Sequence, residues 1–485
     1  MFIRLAGHDC RHAIEQALLS WLPERDRVWS ETLPETGDAL VSTLLPEADP
    51  PRAEAELRLD GVEARGEASL EGPWPETPLL RRRAEQRLVK TALYRALVAC
   101  TGTPLPWGAL TGVRPAKLAS RLLGEMGEEK AAAAMEEIYG LSPDRARLCT
   151  QAGLVSRRVQ GELEEGDAVL YLGIPVCPSR CAYCSFVSHS VEKSLGLVEP
   201  YVEALCREIA GTAELVRETG LRLRAFYMGG GTPTTLSAQQ LDRVLGLLRE
   251  AFHWSACREW TVEAGRPDTL DEEKLRVLAK HGTDRISINP QTMEDRVLAA
   301  IGRRHTAAEI EACFRLAREV FPGEINMDLI AGLPEDTEDG FARSLEKVLA
   351  LGPENVTVHC LTRKRGADLN TREGRYPDGA EVSRMLDYAR GTLGQAGYRP
   401  YYLYRQKYSA GGLENVGWAR PGTECFYNVC MMEELCHVLS LGAGGVTKRV
   451  WPETGAIRRA VNKKYPKEYL ASPEEAVAAK RNLFL

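Results

Sequence analysis

The sequence predicts an α/β protein, a partial (β/α)6 barrel with an α+β domain before it and an extension after it. Three observations predict this. From residue 168, short β-branched or aromatic runs alternate six times with amphipathic helical stretches. Before that point a hairpin and several helices follow a different pattern. After about residue 398, clustered tyrosines and glycine-rich stretches replace the rhythm.

The elements follow in chain order. Residues 53–70 alternate in polarity and turn at Asp60-Gly61, which predicts a hairpin. Pro73 and Pro75 interrupt the chain, and Arg81 to Cys100 carries leucines at helical spacing. More helix is expected over 128–160, so residues 1–165 read as a separate α+β domain of unknown role. Strands are predicted at 168–174, 225–228, 260–264, 285–288, 325–330 and 356–361. Helices are predicted at 200–218, 237–251, 271–281, 293–302, 307–320 and 339–350. Strand–helix units in series argue for a parallel sheet with right-handed crossovers, here spanning 166–397. Its chemistry is expected on the loops at the strands' carboxyl ends. Residues 398–485 read as a C-terminal extension packed beside the barrel.

Composition narrows the function. The 485 residues hold 62 Lys+Arg and 68 Asp+Glu, a net charge of −6, so no nucleic-acid or anionic-membrane partner is indicated. No apolar run is long enough to span a bilayer, and no signal peptide is evident at the N-terminus. The 13 cysteines, mostly scattered, read as reduced thiols of a cytoplasmic protein plus one metal site.

That site follows the first strand, where Cys177, Cys181 and Cys184 are spaced C-x3-C-x2-C. Thiolates select soft metals, iron–sulfur clusters and zinc among them. Structural zinc takes four ligands, usually as two pairs, and no second pair follows. Three thiolates on one tight loop suit a [4Fe–4S] cluster with one iron open. A zinc site completed by His189 is the competing assignment.

The run Y-x-x-I-P-x-C-x3-C-x2-C, followed by Gly229-Gly230-Gly231-Thr232-Pro233, resembles the radical S-adenosylmethionine (SAM) superfamily. Within it the chain is similar to the oxygen-independent coproporphyrinogen III oxidases, and its long N-terminal segment to their HemZ-type coproporphyrinogen dehydrogenase branch. The resemblance covers about 168–450 and implies a radical SAM barrel with a cluster and SAM as cofactors.

It also implies a set of SAM contacts at the strand ends. Gly230, Gly231 and Thr232 match the site for the amino group of SAM, and there is no P-loop lysine. Glu263 is suited to accept from an ammonium or ribose hydroxyls, although Pro267 stands one residue later than the family's E-x-x-P. Gln291 matches the family glutamine, Arg303 suits the SAM carboxylate, and Asp328, in D-L-I-x-G-L-P, suits ribose. Tyr171 and Tyr183 match cofactor-contacting positions, with Tyr183 placed to stack on adenine. The further cysteine common in the family is replaced by Phe186.

The implied reaction is oxidative decarboxylation. A reduced cluster cleaves SAM to a 5′-deoxyadenosyl radical, which takes a hydrogen atom from a propionate β-carbon of coproporphyrinogen III. Loss of CO2 and an electron leaves a vinyl group, and two rounds give protoporphyrinogen IX. A tetrapyrrole substrate, an external electron donor and acceptor, and a monomeric enzyme are expected. Arg363, Lys364, Arg365, Arg405 and Lys407 are candidates for meeting the substrate carboxylates. Cys425, Cys430 and Cys436 lack tight spacing and read as ordinary thiols. The competing functions are a haem-binding chaperone of the same family and a radical SAM enzyme with another substrate. Against the chaperone stands Tyr427, where its haem-linked histidine would fall.

Overall fold

The computed structural model describes residues 1–22, 24–184, 189–362, 369, 374–406 and 410–485, the side chains of 189–195 and 410 excepted. The chain divides into two compact units: Met1–Gly153 with Gly411–Leu413, and Leu154–Ala410 with Glu414–Leu485.

In the first unit, five strands form one sheet in the order Val28–Trp29, Phe2–Ala6, Ala39–Leu45, Arg52–Leu59, Val62–Ser69. The last two are the predicted hairpin. Asp60 and Gly61 both have positive φ, 50° and 81°, the signature of a two-residue turn whose twist matches the strands. The helix Pro78–Thr101 starts on a Thr77 cap with proline in its first turn and ends at left-handed Gly102. It packs so closely on the sheet that a β-carbon on Gly66 would fall 2.2 Å from the Ala92 carbonyl.

The second unit carries an eleven-stranded sheet. Its strands, in chain order, are β1 (Asp167–Ile174), β2 (Arg222–Gly230), β3 (Glu259–Gly265), β4 (Arg285–Ile288), β5 (Glu324–Ala331), β6 (Asn355–Cys360), β7 (Arg399–Arg405), β8 (Glu414–Ala419), β9 (His437–Leu441), β10 (Val446–Trp451) and β11 (Ala456–Val461). The spatial order is β7-β8-β6-β5-β4-β3-β2-β1-β9-β10-β11. Strands β1 to β6 are neighbours in sequence order and parallel throughout. Each is followed by a helix: Val191–Thr219, Ala238–Ala251, Glu272–Lys280, Ala307–Val320, Glu338–Leu351 and Gly379–Gln395. Capping boxes begin three of them, Ser237/Gln240, Thr306/Glu309 and Asp378/Glu381. The strands are apolar and buried, as a sheet covered on both faces requires.

The C-terminal residues differ from the expectation of an extension beside the barrel, since they lengthen the sheet at both ends. Strand β8 pairs antiparallel with β6, and β9 pairs in parallel with β1. Both partners are distant in sequence, so no local pattern announces the pairing. Among the described residues, no helix is long and apolar enough to cross a membrane.

Candidate active site at the strand ends

The carboxyl ends of the parallel strands surround a cavity of about 450 Å³. At one end of it lie Cys177, Cys181 and Cys184, on the loop that leaves β1. Cys177 and Cys181 are buried and Cys184 half-buried. Among the described residues, no three His, Cys, Asp or Glu side chains converge on a position for a single ion. The side chain of His189 and residue Phe186 lie outside the described residues.

The glycine turn after β2 holds this loop by its backbone. The N–H groups of Gly231 and Thr232 donate to the carbonyls of Ile174 and Val176 at 2.7 and 2.8 Å. A β-carbon on Gly231 would sit 2.5 Å from the Val176 carbonyl oxygen, so only glycine permits the approach. These N–H groups are therefore spent on the cysteine loop. The Thr232 hydroxyl donates to Cys177 Sγ at 3.6 Å.

Arg266 grips the same loop from β3. Its guanidinium donates to Ser179 Oγ and the Ser179 carbonyl, each at 2.7 Å, and to Cys181 Sγ at 2.9 Å. Burial pushes the Cys181 thiol up, but the charges of Arg303 and Arg266 outweigh it and hold the thiol below its ordinary range. Sequence reasoning missed Arg266, although the displaced Pro267 was its trace. The extra residue appears as a register shift between Glu263 and Gly265, with Gly265 at φ 63°.

Glu263, at the end of β3, accepts from the Tyr227 hydroxyl at 2.7 Å. Burial first, then the nearby Asp328 carboxylate, raise its carboxyl to about 7, although the Tyr227 hydrogen bond opposes this. Asp328, on β5, accepts from Asn326 Nδ2 at 2.8 Å. Gln291 occupies the left-handed region at φ 69°, pinned by Gln291 N–H to the Asp328 carbonyl at 2.8 Å and Ile330 N–H to its own carbonyl at 2.9 Å. Arg303 Nη2 donates to the Tyr183 hydroxyl at 3.2 Å and the guanidinium neighbours Cys181, while among the described residues its buried Nε and Nη1 have no hydrogen-bond partner.

The cavity thus gathers Tyr183, Gly230, Gly231 and Thr232 with Glu263, Gln291, Arg303 and Asp328. Tyr171 stands apart from them. Its ring lies 6.4 Å from those of Tyr227 and Tyr427, which stack on each other at 4.5 Å, behind the glycine turn. Arg405, last in β7, is buried, and its neighbours Tyr404 and Gln406 border the cavity instead. Arg363, Lys364, Arg365 and Lys407 lie outside the described residues. Cys425 borders the cavity and donates to Glu259 at 3.1 Å, whereas Cys430 and Cys436 belong to the aromatic core around Tyr427. Sequence reasoning also missed Tyr227, Asn326 and His359, single polar residues on strands with no spacing to mark them.

A parallel β/α sheet with three cysteines at its mouth defines a class, and the comparisons agree with it. Residues 171–348 match the family model of the Radical SAM superfamily. The oxygen-independent coproporphyrinogen-III oxidase-like protein HemZ of Bacillus subtilis is 39% identical over 381 residues, 77% of this chain and 76% of that protein. The heme chaperone HemW of Haemophilus influenzae is 28% identical, over 62% of this chain and 75% of that one. The solved structure of coproporphyrinogen III oxidase HemN from Escherichia coli shares the fold, with a TM-score of 0.52 at 24% identity, over 67% of this chain and 73% of that one. The chain belongs to the radical SAM superfamily and, within it, to the family of the coproporphyrinogen-III oxidase-like HemZ proteins.

The superfamily's cofactors are a [4Fe–4S] cluster and SAM. The side chains fit them chemically. Three thiols share one cavity end, with one of them held low by two guanidiniums. Beside them an arginine has buried N–H groups to spare for a carboxylate. A buried carboxyl in the same cavity, that of Glu263, suits an ammonium.

Proposed function

We propose that the protein catalyses the radical SAM oxidative decarboxylation of coproporphyrinogen III propionates to vinyl groups, giving protoporphyrinogen IX without oxygen, in the cytoplasm. The observation that carries this is the convergence of the cysteine loop and the ends of successive strands on one cavity, in a chain 39% identical to a coproporphyrinogen-III oxidase-like protein. The chemistry belongs to the strand–helix core at 166–397, with residues 1–165 outside it and 398–485 completing the sheet.

When bound, the cluster and SAM supply one-electron cleavage of a carbon–sulfur bond and hence abstraction of a hydrogen atom. The chain's residues hold and orient. Cys177, Cys181 and Cys184 ligate iron. Arg303 pairs the SAM carboxylate through the N–H groups the protein leaves open, and Glu263 accepts from its ammonium. Gly230, Gly231 and Thr232 shape the wall beside that ammonium. Tyr183 lies against the adenine, Gln291 contacts the nucleoside, and Asp328 accepts from the ribose. Tyr171 acts from behind the glycine turn, supporting Gly230. Each propionate loses one hydrogen atom, CO2 and one electron, and the electron passes to an external one-electron acceptor.

The test is anaerobic. The reconstituted protein receives SAM, a reductant, an electron acceptor and coproporphyrinogen III, and product mass is followed for two stepwise losses of CO2. SAM cleavage without decarboxylation would mean another substrate. Haem binding without turnover would favour the chaperone function, which the HemW relatives recommend. Cys181→Ala should lose both the brown chromophore and SAM cleavage.

A further inference from the structure

A decarboxylating site must hold the carboxylate that leaves, and that group is two bonds from the carbon losing hydrogen. It must therefore lie close to the part of SAM that reacts, next to the ribose. In the proposed assignment the ribose sits at Asp328. Among the described residues, the basic side chain beside Asp328 is His359, on β6. Its Nε2 is 3.7 Å from Asp328 Oδ2, and its Nδ1 is 3.4 Å from the Tyr404 hydroxyl, which lies 3.4 Å from Gln406 Nε2. All three side chains border the cavity. The two distances from the imidazole are long for hydrogen bonds, so the ring keeps donor capacity in hand.

Among the described residues, the guanidiniums of the cavity are engaged elsewhere or, for Arg303, assigned to the SAM carboxylate. Arg285 donates to Glu259, Asn355 and the Thr423 carbonyl, and Arg266 to Ser179 and Cys181. Arg303 sits at the cysteine end beside Tyr183. Burial pushes the Tyr404 hydroxyl up to about 12, which keeps it a donor rather than an anion. Among the described residues, the carboxyls near the imidazole are Asp328 and Glu263. Among the described residues, the Tyr404 hydroxyl and, beyond it, the Gln406 amide stand on the Nδ1 side of the imidazole, away from Asp328.

We propose that His359, with the Tyr404 hydroxyl and the Gln406 amide, receives the substrate carboxylate that leaves as CO2. This rests on the decarboxylation proposed above and names the subsite that would make it specific for an acid side chain.

The test compares coproporphyrin III, fluorescent and inert to the reaction, with its tetramethyl ester. His359→Asn should weaken binding of the acid at least tenfold and leave the ester within twofold, with iron content as the measure of an intact fold. In turnover with coproporphyrinogen III its KM should rise by a similar factor. If His359→Asn fails to load iron, Tyr404→Phe provides the same comparison, with a smaller loss confined to the acid. Equal weakening of acid and ester, or weakening of neither, overturns the assignment. Loss of acid binding alone, in a protein that releases no CO2, supports the carboxylate subsite and removes the decarboxylation instead.

Discussion

A β-carbon on Gly229 would lie 2.9 Å from Cδ and Oε1 of Glu263, so the strand β2 glycine is the space in which that carboxyl stands. Gly229→Ala must displace Glu263 or break its hydrogen bond with Tyr227. If Glu263 meets the ammonium of SAM, the loss is that of one charged hydrogen bond, about 1.5–3 kcal/mol, or roughly 10- to 100-fold in affinity. Equilibrium binding of SAM to anaerobically reconstituted protein measures it. An unchanged Kd would show that Glu263 does not touch the cofactor.

The same carboxyl predicts a pH dependence. Its value of about 7 lies above the ordinary 4.5, mainly because it is buried. Below pH 7 it is protonated and a poor acceptor for an ammonium, so SAM affinity should rise as pH increases through about 7. The folding sign is opposite. A raised carboxyl value means that the unfolded chain releases its proton first, so the cofactor-free protein loses stability from about pH 4.5 to 7. Glu263→Gln should flatten both dependences and raise the Tm of the cofactor-free protein at pH 8 relative to wild type. Parallel melting curves at pH 5 and pH 8 would contradict this.

Arg266 reaches Cys181 Sγ at 2.9 Å and helps hold the thiol low, so it should govern how firmly iron is kept. Arg266→Gln removes that charge and should release iron to a chelator several-fold faster. Arg266→Lys keeps the charge without the fork that also spans Ser179, and should fall between the two. Equal release rates in all three proteins would show that the arginine only braces the loop.

The sheet was legible because buried parallel strands are apolar runs bounded by turn residues. The predicted strand at 285–288 coincides with β4, and the others differ from β1–β3, β5 and β6 by a few end residues. The cavity residues were legible where a motif spaced them, as with the cysteines and the glycine turn. What could not be read is direction. The sequence matches Gly231 to the site for the amino group of SAM, but does not show that its N–H donates to the Ile174 carbonyl at the start of the cysteine loop. Tyr171 and Tyr183 look alike in sequence, yet one ring is stacked behind the turn and the other faces the cavity. His359 sits in an unremarkable strand, and only the strand order brings it beside Asp328. Strand β9 was invisible for the same reason, since its partner β1 lies at the other end of the unit's sequence.

The C-terminal helix Pro473–Phe484 is tied to the barrel by a carboxylate with no exposure to water. Glu208 accepts from Gly442 N–H at 2.7 Å, Asn462 Nδ2 at 2.8 Å, the Tyr469 hydroxyl at 2.6 Å and the ammonium of Lys480. Both charged side chains are fully buried. A buried pair gains little over an apolar one, but removing one partner strands the other charge at a cost of about 3–5 kcal/mol. Lys480→Met should therefore lower stability by about that amount in denaturant titration. Adding Glu208→Gln should recover part of it, because the amide oxygen can still accept from Gly442 N–H and the Tyr469 hydroxyl and no charge is left unpaired, while the bond from Asn462 Nδ2 is lost. The effect should reach the site as well. The Gly442 loop lies against Gly173, and the Tyr201 hydroxyl bridges the Gly173 carbonyl and Ala443 N–H at 2.7 and 2.9 Å, one residue before β1 ends and the cysteine loop begins. Lys480→Met should thus lose iron on mild warming before the rest of the protein unfolds. Iron loss and global unfolding at the same temperature would show that the C-terminal tie serves stability alone.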